Sequence, residues 1–128
     1  MKYYISQKIS TDFDQAVQLV TESLKKEGFG VLTEINLQEK LKEKLNVDFR
    51  KYKILGACNP AYAYKALQME DKVGTMLPCS VIVQELGNNE IEVAAVDPIA
   101  SMMAIESPDL AGIAGEIKEK LVRVIASL

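Results

Sequence analysis

The chain has 128 residues, a net charge of −3, two cysteines and no histidine. That length suits one domain, residues 1–128, with a core that needs no staples. Without histidine, Ser–His and Cys–His catalysis within one chain is excluded, and the commonest metal ligand is missing.

The pattern predicts alternating strands and helices. Residues 2–9 alternate, with Tyr3, Ile5 and Ile9 against Lys2, Ser6 and Lys8, as in a half-buried strand. Ser10-Thr11-Asp12 supplies a helix cap. Phe13, Ala16, Val17, Val20 and Leu24 then form one helical stripe, which Gly28 terminates. A second strand runs from Phe29 to Ile35, with Phe29, Val31, Thr33 and Ile35 on one side. Asn36 caps a charged helix with Glu39 at the capping-box position and Leu37, Leu41 and Leu45 four apart. Tyr52–Cys58 is a short apolar strand containing Gly56, a sign of close backbone approach or a bulge. Asn59-Pro60 opens a helix to about Glu70.

Residues 71–78 read as a loop. Cys79–Leu86 and Glu90–Val96 flank Gly87-Asn88-Asn89, a hairpin signal. Asp97-Pro98 closes the second of these strands. Residues 99–106 carry no decisive pattern, and Ser107-Pro108-Asp109 starts a last helix with a long apolar stripe. The order β-α-β-α-β-α-β-β-α predicts an α+β fold of two layers, an antiparallel or mixed sheet packed against helices. The stripe of the last helix is broad enough to cover the sheet or to meet a second subunit.

The chemistry concentrates in residues 54–80. Both cysteines lie there, each beside a proline or an Asn-Pro pair at the end of an element. Cys58 is expected just before a helix N-terminus, where the dipole favours a thiolate. Equally, a free cysteine often only fills core space. The lysines of residues 39–53 form either an anion-binding face or a solvated helix surface.

The acidic balance argues against a nucleic-acid partner. No run of about 18 apolar residues occurs, so no membrane partner is expected. Residues 1–8 lack the apolar region of a signal peptide, so a cytoplasmic location is expected.

Gly-Phe-Gly-Val-Leu-Thr-Glu-Ile at 28–35, Leu-Lys-Glu-Lys-Leu at 41–45, Leu-Gly-Ala-Cys-Asn-Pro at 55–60, Leu-Pro-Cys-Ser-Val at 77–81 and Asp97-Pro98 occur in that order. Together they resemble the domain-of-unknown-function family numbered 302, over nearly the whole chain. The family's usual pattern has asparagine after the second cysteine; here it is Ser80. The resemblance implies a compact α/β domain that forms homodimers, and it implies no particular activity. Its motif positions point to Glu34, Lys42, Cys58, Asn59, Pro60, Cys79 and Asp97 as ligand-binding residues. Cys58, Asn59 and Cys79 are also singled out by their places at element ends.

Three readings of function follow. The first is a small-ligand binding module around the Ala-Cys-Asn-Pro and Leu-Pro-Cys motifs. The second is thiol chemistry, as a redox, sulfur-handling or soft-metal-binding protein. The third is a non-catalytic dimeric regulatory protein, with Tyr62 and Tyr64 as interface candidates. Neither a catalytic group nor a cofactor is specified by the sequence, and a tetrahedral zinc site within one chain lacks ligands. Inert thiols beside a cavity favour the first reading; reactive thiols favour the second.

Overall fold

The computed structural model describes residues 2–128. Five strands, β1 (Tyr4–Ser10), β2 (Gly30–Asn36), β3 (Tyr52–Cys58), β4 (Cys79–Gly87) and β5 (Glu90–Val96), form one sheet in the order β1-β5-β4-β3-β2. Every neighbouring pair is antiparallel. The helices are α1 (Phe13–Lys26), α2 (Leu37–Leu45), α3 (Pro60–Met69), α4 (Pro98–Ser101) and α5 (Pro108–Ala126). The predicted α+β order is therefore observed, with two additions. Residues 71–78 contain a 3-10 segment, Asp71–Met76, and the undecided stretch after Asp97 opens with the four-residue α4.

Local chemistry accounts for most boundaries. Asp12 accepts from the Gln15 amide at the start of α1, and Asn36 accepts from the Glu39 amide at the start of α2. Asn46 ends α2 in the left-handed region, at φ 53°. Ser107 caps α5 through the Leu110 amide. Asn59 departs from expectation. It precedes α3, but its side chain makes no cap and instead donates to the Glu27 carbonyl at 3.3 Å. Pro60 at the first helical position begins α3 without that cap.

One face of the sheet carries the core. Leu55, Ala57, Cys79, Val81, Val83, Ile91, Val93 and Ala95 meet Phe13, Ala16, Val20 and Leu24 of α1. From α5, Ile113, Ile117, Leu121, Val124 and Ile125 join them. The stripe of α5 is thus used within the chain, against the sheet and α1. A smaller cluster of Ala66, Val73, Met102, Leu110 and Ala114 ties α3 and the 3-10 segment to α4 and α5. Among the described residues no helix is long and apolar enough to cross a membrane.

Among the described residues, no helical layer covers the centre of the other face of the sheet. Strand alternation places Ile54, Ser80, Ile82, Gln84, Glu92, Ala94 and Val96 there, with Tyr4 and Tyr52 beside them. Strand β2 changes face within itself. Val31 pairs with Ala57, but a bulge follows and Thr33 pairs with Gly56, so Thr33 and Ile35 belong to the open face. The simple alternation expected for residues 29–35 fails at this extra residue, Leu32, which is 67% exposed.

Candidate functional site

The open sheet face holds a trough of about 440 Å³. Its floor is Ile82, Ala94 and Val96, from the central strand β4 and its neighbour β5. Tyr3, Tyr4 and Tyr52 stand around it, with the Tyr3 and Tyr4 rings edge to face at 5.0 Å. Ser80 lies toward one end, and Gln84 and Glu92 toward the other. The volume falls within the usual range for small-molecule sites, roughly 300–1,000 Å³.

The Gln84 and Glu92 end is held by a short chain of hydrogen bonds. Arg50 Nε donates to Gln84 Oε1 at 2.8 Å, and Gln84 Nε2 donates to Glu92 Oε1 at 2.8 Å. Arginine can only donate, so it fixes which end of the Gln84 amide faces the carboxylate. The Arg50 guanidinium also lies 4.2 Å from the centre of the Phe49 ring. Glu92 and Gln84 are therefore oriented by their neighbours.

The Ser80 end joins the trough to the cysteine motifs. Ser80 pairs with Gly56 across β4 and β3, and Cys79 pairs with Ala57. Gly56 has no room for a side chain: a Cβ there would run into Thr33 Oγ1 and come within 2.8 Å of Pro78 Cγ. Pro78 and Thr33 thus pack directly over the glycine backbone at this end of the open face.

The cysteines are both free thiols on adjacent strands. Cys79 faces the core and is 5% exposed; Cys58 is half-buried, one residue beyond the Ala57–Cys79 pair. Burial, followed by the neighbouring Cys58, pushes the Cys79 thiol up to about 11. A thiol so disposed is a poor nucleophile at neutral pH.

The remaining motif residues separate into two groups. Cys58, Asn59, Pro60, Cys79 and Asp97 gather at the end of the sheet where β3 and β5 finish and β4 begins. Asp97 caps α4 through the amides of Ile99 and Ala100, and its Oδ2 meets Lys118 Nζ at 2.9 Å. Burial works to raise its carboxyl, but the Lys118 bond and the two amides outweigh that and hold it below the ordinary aspartate value. Glu34 and Lys42 lie apart. Glu34 pairs with Lys53 at 2.8 Å on the edge of the sheet, and Lys42 pairs with Asp48 at 3.1 Å on the surface of α2. They do not pair with each other.

None of the seven motif residues lines the trough, which the motifs reach through Ser80. Sequence reasoning did not single out Tyr3, Tyr4, Tyr52, Gln84 or Glu92, which line the trough. The signal for them was the pair of unbroken apolar runs Val81-Ile82-Val83 and Val93-Ala94-Ala95-Val96. A sheet covered on one side and wet on the other alternates; here the outward positions Ile82, Ala94 and Val96 are apolar too.

The architecture is an antiparallel five-stranded α+β domain with one face left open. The chain matches the family model described as Domain of unknown function DUF302 over residues 5–128 and belongs to that family. It is also similar to a solved structure described as the crystal structure of uncharacterized conserved protein DUF302 from Bacillus stearothermophilus. That chain is 31% identical, 98% of each chain is covered, and the TM-score is 0.90. No curated protein matches the chain.

Proposed function

We propose that the protein is a small-molecule binding module whose ligand lies in the trough on the open sheet face, beside the Leu-Pro-Cys-Ser motif. The observation that carries this reading is the trough itself. It joins an apolar floor to polar groups at both ends, Ser80 at one and the oriented Gln84 and Glu92 at the other. The state of Cys79 weighs in the same direction: its thiol is buried in the core cluster and raised to about 11, so this cysteine serves packing.

The test is a titration with the neutral fluorescent probe N-phenyl-1-naphthylamine. Wild-type protein is expected to bind it saturably. Ala94→Trp and Ser80→Phe, one on the floor and one at the end of the trough, should each weaken binding at least tenfold while circular dichroism stays unchanged. Absence of saturable binding, or equal binding by both folded variants, overturns the reading.

A further inference from the structure

We propose that the trough selects ligands carrying a cationic amine on an apolar body, with the ammonium at Glu92 and the body on Ile82, Ala94 and Val96. This inference rests on the trough being a ligand site and assigns the chemical class it takes. Glu92 is the one charged residue among those lining the trough. One of its carboxylate oxygens accepts from Gln84, and among the described residues no lysine or arginine lies within salt-bridge distance of either. The nearby cations stop short of Glu92. Lys8, opposite Glu92 in the β1–β5 register, reaches Glu90 at 3.8 Å. Arg50 donates to Gln84 and lies against Phe49. Lys2 lies 5.8 Å from the centre of the Tyr4 ring.

The charge pattern discriminates between ligand classes. An anion would place its charge against an unneutralised carboxylate, an arrangement that repels. A neutral apolar ligand would cover the floor and leave the second Glu92 oxygen without a donor. An ammonium supplies donors to the open carboxylate oxygen in a charge-assisted bond, stronger than a neutral one. The tyrosine rings and the aliphatic floor then take a chain or ring of modest size.

Three compounds of one chain length separate these cases: n-heptylamine, n-heptanol and heptanoate, each used at pH 7 to displace N-phenyl-1-naphthylamine. The amine is expected to displace the probe at about one-tenth of the alcohol concentration, with the acid weakest. In Glu92→Gln, which keeps an oxygen to accept from Gln84, the amine should fall to the level of the alcohol. An amine no better than the alcohol in the wild type overturns the proposal, whatever the fate of the variant. So does an amine preference that survives Glu92→Gln. If the probe binds in the trough and none of the three compounds displaces it, the amine assignment falls and the binding-module reading stands. If the probe does not bind at all, both fall together.

Discussion

Cys79 shows how far position decides a residue's chemistry. The sequence places both cysteines at element ends, Cys58 just before a helix N-terminus whose dipole could activate a thiol and Cys79 at the start of a strand. The structure seats Cys79 at the start of β4 with its side chain in the core, and burial raises it from the 9.0 of a free thiol to about 11. The unfolded chain ionises first, so this group favours the fold below pH 9 and that advantage is lost as pH rises through 11. The full span corresponds to on the order of 2–3 kcal/mol. Urea unfolding across this range should therefore show a falling stability that is absent from Cys79→Ala. In 5,5′-dithiobis(2-nitrobenzoate) assays at pH 8, Cys79 should stay unmodified in the folded protein and react on denaturation. Rapid labelling of native Cys79 would contradict its place in the core. The identity of residue 79 was legible in the sequence; its direction was not, because facing depends on the register that pairs it with Ala57.

At the scale of elements, the strongest sequence signals were caps and turns, and these survive because their physics is local. Asn36 and Ser107 hold the amides expected of them. Asn59 had the right residue type but its side chain turned to the Glu27 carbonyl on another element, a contact that no local rule could supply. The bulge in β2 was equally hidden. It exists because Thr33 must lie over Gly56 while Val31 stays in the core, a demand made by the neighbouring strand.

Asp97 offers an element-level test. It starts α4 and ties it to Lys118 of α5. Asp97→Ala should cost about 1 kcal/mol or more at pH 7, through the lost cap and ion pair. Asp97→Asn keeps an acceptor for the cap and should cost less. Because the folded carboxyl is held below 3.8, its contribution is complete above that value and disappears as pH falls through the folded pKa. Wild type and Asp97→Asn should then converge in acid urea melts; a constant gap between them would refute the assignment.

For the molecule as a whole, area is informative. The chain exposes 7599 Å². The surface expected of a monomeric protein of 14.2 kDa is about 6,800 Å². The excess is about 800 Å², close to what one partner contributes to a standard interface. An uncovered sheet face produces an excess of this kind. The expected homodimer is proposed on that basis, and through the open face, because α5 buries its stripe within the chain. Light scattering at high protein concentration should give twice 14.2 kDa. A single-chain mass at every concentration would exclude it. The sequence made the layers legible through periodicity. The apolar outward positions were legible in two unbroken runs, but what covers them was not, since nothing local distinguishes an apolar position under a helix from one left open.

If the proposed dimer forms through the uncovered sheet, subunit association and the proposed ligand capture share one surface. Two equilibria that share a surface are linked, and linkage is reciprocal. A second copy seated over the trough becomes its roof, so ligand affinity would rise with protein concentration and dilution alone would release the ligand. A ligand that is trapped this way strengthens the dimer by the same factor. The protein would then respond to its own abundance as well as to the ligand it holds.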